Sequence, residues 1–567
     1  MPSKDRAIFN VYPEIEGGKF LVKREEDRAL TVSCSTLISG KPALFLKSRK
    51  KGERVWSKKA MHLNSSGKWE ASVLFPDPGR YEYTIEAESS DGKTKSLQYG
   101  KILEVAVRPA RARFAAWYEM FHRSQGKIPG QSATFRDMEG RLDDIERMGF
   151  DVIYLPPVHP IGVTKRKGPD NSLYAGPNDP GCPWAIGNHF GGHKAVNPEL
   201  GTLEEFRKFI RSCKKRGMDV AIDLAFNCSP DHPYLKEHPE WFFKRADGTI
   251  AYAENPPKKY EDIYPLNFFP ENKDAMWQEM KSIFTFWCKQ GITTFRVDNP
   301  HTKPADFWEW LIREVKAEYP EAMFLAEAFT AYDKLEYLAK VGYDQSYTYF
   351  TWRNQKNELI EYFLKLTGSY LKEFLFGNLF VNTPDICPPV LQNGGRPAFK
   401  LRIALAATLS SVYGMYNGYE LCEAGAYPGT EIYKDSEKYQ YKVWDWDRPG
   451  NIKDYIGSLN RIRRENPALQ QYDNLRIYNS TNDSILFYGK ATIDKENVIL
   501  VAVNLDPFNS QEARVTVPVE ELGLSSDEEY QVDELISGRS YSWRGRENYL
   551  RIEPWVEPVY IFKVRKI

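Results

Sequence analysis

The chain has 567 residues, which is more than one hydrophobic core holds, and at about 150 residues per domain it indicates three or four domains. Its 77 Lys and Arg residues equal its 77 Asp and Glu residues, so no overall charge favours nucleic acid or an anionic membrane. The seven cysteines match neither a metal motif nor a disulfide framework, and reduced thiols fit best. No stretch reaches the roughly 18 apolar residues of a membrane span, so we expect a cytoplasmic protein.

Residues 1–108 consist of short runs of alternating or apolar side chains that turn signals separate. Trp69–Phe75 and Tyr81–Ile85 are two such runs, and Ser65–Gly67 and Pro76–Gly79 are turns of the Gly and Pro type. Short runs at this spacing are typical of antiparallel strands. The pattern predicts an N-terminal β-sandwich.

Residues 109–474 change to a rhythm in which strands and helices alternate. Phe114–Phe121 and Val152–Leu155 are predicted strands, and Thr202–Glu205 is a capping box that starts a helix before the strand Asp219–Asp223. Repeated βα units predict a parallel sheet, and eight of them close into a barrel.

Two long irregular segments, 159–200 and an inserted loop subdomain at about 228–268, follow predicted strand ends, where barrel enzymes carry their active-site loops. From residue 475 the alternation returns, which predicts a C-terminal antiparallel β domain over 475–567. The predicted fold class is therefore α/β, a (β/α)8 TIM barrel with loop insertions between an N-terminal β-sandwich and a C-terminal antiparallel β domain.

Three predicted barrel strands end at or shortly before an acidic residue: Asp298, Glu327 and Asp385. Arg296 lies two residues before Asp298, so both side chains face the same way and the guanidinium holds the carboxylate ionised. Two carboxyl groups about 5 to 5.5 Å apart are what retaining sugar chemistry requires. A lone acid at a strand end more often caps the strand or pairs with a surface base, but three in series favour a catalytic set.

Four segments, in order along the chain, resemble the signatures of glycoside hydrolase family 13, the α-amylase clan. They are Asp223–Asn227, Arg296–Asp298, Glu327 and Asp385. Within that clan the chain most resembles the α-1,4-glucan:maltose-1-phosphate maltosyltransferases, which lengthen glucans with maltosyl phosphate. The segments that carry this closer resemblance are Arg166–Gly168, Pro183–Gly187, Ala253–Tyr260, Phe295–Pro304 and Asn382–Asp385.

The resemblance implies that Asp298 is the nucleophile and Glu327 the general acid/base. It also implies that Asp385 binds donor-sugar hydroxyls and stabilises the transition state, and that Arg296 is the nucleophile's partner. The residues that it places in contact with the donor are Lys167, Asn227, Asn255, Lys258, Tyr260 and Asn299.

The loop from Asn255 to Tyr260 is the part of the resemblance expected to face phosphate. Ammonium, amide and phenol groups hold a phosphate dianion without a metal, so we expect neither a metal ion nor a cofactor. A solvated basic loop is the alternative for Lys258 and Lys259, because Pro256 and Pro257 also suit a plain surface turn.

The chain departs from its relatives in several places. Amylases usually carry His where this chain has Cys228 and Pro384, so it is not a standard amylase. The transferases commonly carry Gln at the position of Asn227, so the donor pocket differs by a methylene. They usually also insert a helical dimerisation segment, for which Ala87–Arg111 leaves no room, and we expect no dimer by that route. His193 follows two glycines and either reaches substrate or makes structural hydrogen bonds.

The expected function is retaining transfer of a maltosyl unit from α-maltose 1-phosphate to the non-reducing end of an α-1,4-glucan, with release of phosphate. The expected intermediate is a covalent β-glycosyl-enzyme on Asp298, and the expected partners are the two sugar substrates, without nucleic acid or membrane. Two alternatives stay open: a hydrolase or disproportionating enzyme of the amylase clan, and a catalytically silent glucan-binding protein. The reaction products distinguish the hydrolase or disproportionating enzyme from the transferase. The presence of Asp298, Glu327 and Asp385 argues against the silent binding protein.

Overall fold

A computed structural model describes residues 7–38, 42–88, 96–255 and 258–566, without the side chains of Asn255, Lys258 and Lys566. Its centre is a sheet of eight parallel strands. In chain order these are Ala115–Glu119, Val152–Leu155, Asp219–Leu224, Thr294–Val297, Met323–Ala326, Gln345–Ser346, Leu379–Phe380 and Val412–Tyr416.

The eight strands lie in the order six, five, four, three, two, one, eight, seven. A parallel bridge between Ser346 and Gly377 joins the sixth strand to the segment before the seventh, so the sheet curls back on itself. Most strand residues are buried on both faces, which fits a parallel sheet enclosed by helices. The predicted TIM barrel is confirmed.

Helices connect the barrel strands. The longer ones are Leu142–Arg147, Leu203–Lys215, Lys273–Lys289, Ala305–Glu318, Tyr332–Val341, Lys356–Gly368, Pro389–Leu409 and Lys453–Glu465, and Phe135–Glu139 and Tyr234–Glu237 are shorter. Helix 203–215 begins at the predicted capping box, because the Thr202 hydroxyl accepts from the Glu205 amide while the Glu205 carboxylate accepts from the Thr202 amide.

Two small two-stranded sheets follow the third barrel strand in the chain. Asn227–Cys228 pairs with Tyr264–Pro265, and Ala253–Asn255 pairs with Lys258–Tyr260, both antiparallel. They bring the segment 228–268 back over the end of the barrel where the predicted acids lie.

Two sheets precede the barrel. The first has the order Ile8–Tyr12, Leu30–Thr36, Trp69–Val73, His62–Leu63, and the second the order Val22–Glu25, Leu103–Arg108, Gly79–Glu88, Ala43–Lys50, Ser57–Ala60, with Leu97–Gln98 beside Gly79–Glu88. Side chains at alternate positions, such as Leu44 and Leu46, are buried, as the sequence pattern predicts.

Two antiparallel sheets follow the barrel. The larger has the order Leu475–Tyr478, Ile485–Ala491, Val498–Asn504, Val559–Lys566, Glu529–Glu534, Ser540–Arg544, and the smaller joins Gln511–Thr516 to Glu547–Ile552. Their facing side chains form a core of their own around Phe487, Leu500, Val515 and Ile552. Among the described residues, none of the helices is both long and apolar enough to cross a bilayer.

Candidate active site

The guanidinium of Arg296, on the fourth barrel strand, contacts three carboxylates at neighbouring strand ends. Nη1 donates to Asp223 Oδ2 at 2.6 Å and to Asp298 Oδ1 at 3.0 Å, and Nη2 lies 2.6 Å from Glu327 Oε1. Strand alternation predicts the contact with Asp298. The contacts with Asp223 and Glu327 join different strands, and the sequence gives no local sign of them.

The three carboxyl groups do not titrate alike. Burial alone raises the pKa of Asp298, but the Arg296 and Lys303 charges outweigh burial and the net pKa is lowered. Burial raises the pKa of Glu327 well above its usual value; Arg296 opposes this, whereas the charges of Asp298, Asp385 and Asp223 reinforce it. The pKa values of Asp298 and Glu327 are therefore shifted in opposite directions, which is the division that acid catalysis beside a nucleophile uses.

Asp223 holds Arg296 from the third barrel strand and is fully buried. Its Oδ2 also accepts from Tyr154 Oη at 2.7 Å and from Trp184 Nε1 at 3.1 Å. Burial raises the pKa of Asp223 to about 7, against the lowering effect of Arg296. No role for Asp223 is predicted from the sequence. Its position at the end of a strand is nevertheless the same signal that indicates Asp298.

The acids open onto a cavity of about 870 Å³, a volume typical of small-molecule sites. Its wall includes Asp298, Glu327 and Asp385. The wall also includes three of the predicted binding residues, Asn227, Tyr260 and Asn299, and the aromatic side chains of Trp184, Phe243, Tyr252, Phe268, Phe269, Phe329 and Tyr439. Aromatic faces beside polar groups suit sugar rings, which are apolar on their faces and polar at their edges.

Asp385 lies at the rim with its side chain 54% exposed, and Lys438 Nζ contacts its Oδ1 at 2.5 Å. Lys438 also lies over the Trp184 ring, 4.7 Å from the centroid. Lys438 is not among the site residues that the sequence predicts. It lies 53 residues beyond Asp385, on a loop after the eighth strand, and a lysine among Glu437, Tyr439 and other polar neighbours carries no distinguishing pattern.

Asn299 directly follows Asp298 in a left-handed conformation, with φ of 41°. Asparagine adopts this region more readily than most residues. The turn aims the Asn299 amide at Glu327, whose Oε2 accepts at 3.3 Å. Asn299 is itself exposed and lines the cavity.

Two predicted binding residues lie outside the cavity wall. Lys167 is buried and donates at 2.5 Å to Oε2 of Glu261, the residue that follows Tyr260. His193 is buried, and its ring nitrogens lie 3.1 Å from His232 Nε2 and 2.9 Å from the Ala225 carbonyl. Burial lowers the pKa of His193 to about 4. This is the structural hydrogen bonding that sequence analysis left as the alternative for His193.

The side chains of Asn255 and Lys258 lie outside the described part of the structure. Their backbones face each other in the hairpin that also carries Tyr260. The prediction that they contact phosphate stays a prediction.

Three family profiles match successive parts of the chain. The profile described as alpha-1,4-glucan:maltose-1-phosphate maltosyltransferase, domain N/S, matches residues 6–108. The alpha amylase catalytic domain matches residues 117–361, and the profile described as GLGE, C-terminal, matches residues 477–564.

Solved structures with the same fold include α-amylases. A maltogenic α-amylase from Thermotoga neapolitana superposes with a TM-score of 0.64 at 18% identity, over 80% of this chain and 99% of that one. An α-amylase from Lactobacillus plantarum gives a TM-score of 0.61 at 20% identity, over the same shares of the two chains. At these identities the likeness establishes the fold alone.

Relatives in sequence are much nearer. A protein of Rhodospirillum rubrum named α-1,4-glucan:maltose-1-phosphate maltosyltransferase is 54% identical over 83% of this chain and 69% of its own length. One of the same name from Chlorobaculum tepidum is 43% identical over 98% of this chain and 96% of its own length. The chain therefore belongs to the family of α-1,4-glucan:maltose-1-phosphate maltosyltransferases.

Proposed function

We propose that this protein transfers a maltosyl unit from α-maltose 1-phosphate to the non-reducing end of an α-1,4-glucan and releases inorganic phosphate, with retention at the anomeric carbon. Family membership supports the reaction. The observation that carries the mechanism is the single buried guanidinium that contacts both Asp298 and Glu327, the first with a lowered pKa and the second with a raised one.

In the first step the Asp298 carboxylate attacks the anomeric carbon and forms a C–O bond on its β face. The bond from that carbon to the phosphate oxygen breaks, and its electron pair leaves with the phosphate. Glu327 gives its proton to the departing oxygen. Arg296 supports this step because its contact keeps Asp298 ionised and fixes its carboxylate at the cavity wall.

In the second step Glu327, now ionised, takes the proton from the 4-hydroxyl of the acceptor glucan as that oxygen attacks the maltosyl-enzyme. The new glycosidic bond forms on the α face, and Asp298 leaves as a carboxylate. Glu327 ends the cycle protonated, ready for the next donor, so two inversions give net retention.

We assign sugar binding to the side chains that line the cavity. Asp385 faces donor hydroxyls from the rim and is oriented by Lys438, while Asn227, Tyr260 and Asn299 offer amide and phenol groups at the wall. Lys167 positions the Tyr260 hairpin through Glu261. Asn255 and Lys258 are proposed donor contacts on family grounds.

The test is release of inorganic phosphate from α-maltose 1-phosphate with and without maltohexaose, with products read by mass. We expect release that depends on the acceptor and chains that grow by two glucose units. Asp298→Ala is the blank, because it keeps the fold of the cavity wall and lacks the nucleophile.

Two outcomes would contradict the proposal. Shortening or shuffling of maltohexaose alone, without phosphate release, would make the protein a hydrolase or disproportionating enzyme. Glucan binding without any turnover would make it a silent binding protein.

We also propose a cytoplasmic location. All seven cysteines are free thiols and six of them are buried, a state that a reducing compartment preserves. Fractionation of cells that express the full chain tests this proposal, and recovery outside the cytoplasm would contradict it.

A further inference from the structure

Lys303 lies on the turn that follows the nucleophile strand and lines the same cavity as Asp298 and Glu327. The short helical turn Pro300–Thr302 fixes its backbone, because the Lys303 amide donates to the Pro300 carbonyl at 3.1 Å. Its ammonium makes one hydrogen bond among the described residues, to the Asn299 carbonyl at a long 3.3 Å. Most of its donor capacity is therefore unused.

The other lysines near this site are differently placed. Lys438 contacts Asp385 at 2.5 Å, and Lys167 contacts Glu261 at 2.5 Å. Within the described ranges, no carboxylate oxygen lies within the 4.0 Å of Lys303 Nζ that would make an ion pair. Lys303 is thus a cation at the cavity wall that the protein itself leaves without a direct counter-ion.

The charges around Lys303 are mostly negative, although none of them contacts its ammonium directly. The side chain is half-buried and its ammonium is accessible at the cavity wall. Burial lowers the pKa of Lys303, whereas the charges of Asp298, Glu327 and Asp223 raise it. An ammonium with donors to spare in such a place is suited to bind an anion that enters the cavity.

The charges of the cavity wall also indicate that a bound phosphate requires a nearby cation. Its described acidic residues are Glu254, Asp262, Asp298, Glu327 and Asp385, against the ammonium groups of Lys303 and Lys438. A phosphate dianion entering such a cavity meets net repulsion unless a cation stands close to it. Since Lys438 is already bound to Asp385, Lys303 is the described cation of the wall that is available for this task.

We propose that Lys303 binds the phosphate of the donor and makes the cavity selective for a glycosyl phosphate over a donor whose leaving group carries no charge until it departs. This inference rests on the proposed function and deepens it. The phosphate departs from the face of the sugar opposite Asp298 and beside Glu327, and Lys303 lines the same cavity as both carboxyl groups. A lysine suits this role because its ammonium is a compact charge that follows the phosphate as the bond lengthens.

The experiment compares two donors that give the same maltosyl-enzyme, α-maltose 1-phosphate and α-maltosyl fluoride, each with maltohexaose as acceptor. Lys303→Met removes the charge and keeps the length of the side chain. We expect kcat/KM for the phosphate donor to fall about 10- to 100-fold. That for the fluoride donor should fall by roughly threefold at most, because Asp298 keeps its contact with Arg296. Activity with the fluoride also shows that the variant is folded.

Two further variants sharpen the result. Lys303→Arg restores a cation and should recover most of the loss with the phosphate donor. Lys334→Met removes an exposed lysine from the neighbouring helix 332–341, outside the cavity wall, and should leave both donors unchanged. With the fluoride donor, inorganic phosphate should inhibit wild type more strongly than Lys303→Met.

Equal losses with the two donors would overturn the inference, because they would mean that Lys303 acts on Asp298, at the acceptor or in the fold. An unchanged kcat/KM for the phosphate donor would overturn it as well. Failure of the proposed function is distinguishable from either, since wild type itself would then release no phosphate from α-maltose 1-phosphate.

Discussion

Two buried arginines, Arg296 and Arg108, show how the same side chain is used at the two ends of the barrel. Arg108 meets the amino ends of the strands, where it contacts Glu25, donates to the Asp344 carbonyl at 2.7 Å and lies over the Phe376 ring at 4.0 Å. Arg296 stands at the carboxyl ends and contacts three carboxylates. Arg108 and Glu25 are each 1% exposed, whereas Asp298 and Glu327 open onto the cavity.

The difference lies in the balance of charge. At Arg108 one cation meets one carboxylate of the same N-terminal sheet, so the pair is neutral, and the Arg108 bond to the Asp344 carbonyl joins that sheet to the barrel. Lys23 adds to this junction by donating to the carbonyls of Ala339, Tyr343 and Phe374. At Arg296 one cation faces three carboxyl groups and cannot neutralise them all, and burial together with the neighbouring acids raises the pKa of Glu327. Excess acid beside a cavity distinguishes the proposed catalytic cluster from the structural pair.

Among the variants, Asp298→Ala should cause the largest loss of activity. We expect kcat to fall on the order of 10⁴-fold or more, because the attacking oxygen is gone, while donor binding is retained. Phosphate release and calorimetric titration with α-maltose 1-phosphate measure the two effects. Turnover near the wild-type rate would remove Asp298 from the role of nucleophile.

Arg296→Met should lower kcat about 10²- to 10³-fold, since Asp298 loses the charge that holds it ionised and aligned. Arg108→Met is the matched control, with the same substitution at a buried arginine away from the cavity. It should leave kcat per folded molecule unchanged. Similar losses of kcat in the two variants would mean that Arg296 acts through the fold alone.

Arg108→Met should affect the free energy of unfolding rather than kcat. Arg108→Met leaves the buried Glu25 carboxylate uncompensated and should destabilise the protein by about 3 to 5 kcal/mol. Urea unfolding followed by tryptophan fluorescence, beside wild type, measures this. An unchanged midpoint would show that Glu25 is accommodated without its partner.

The smallest expected effect is on the pH profile. Glu327 must be protonated to assist the leaving phosphate, so kcat/KM falls as pH rises through its pKa. Asp385→Asn removes a negative charge that raises this pKa and leaves the Lys438 ammonium without its partner, and both changes lower it. We expect the alkaline limb to move to lower pH by about half a unit. A limb that does not move would argue against Glu327 as the acid.

Periodicity in the sequence was sufficient for the fold and for the Arg296–Asp298 contact. Alternation along one strand fixes which side chains share a face, and βα units in series leave a parallel barrel as the arrangement that buries their apolar faces. The capping box at Thr202 and the strand Val152–Leu155 appear where the pattern predicts them. These are properties of adjacent residues, so neighbours in the chain determine them.

Which polar side chains at the site have protein partners depends on the tertiary structure. Several contacts at the site join segments that are far apart in the chain. They are the contact of Lys438 with Asp385, the hydrogen bonds of Tyr154 and Trp184 to Asp223, and the contact of His193 with His232. Periodicity carries no record of such contacts, because irregular loops set them. Whether a charged side chain meets a protein partner, as Lys438 does, or faces the cavity without one, as Lys303 does, follows from those contacts.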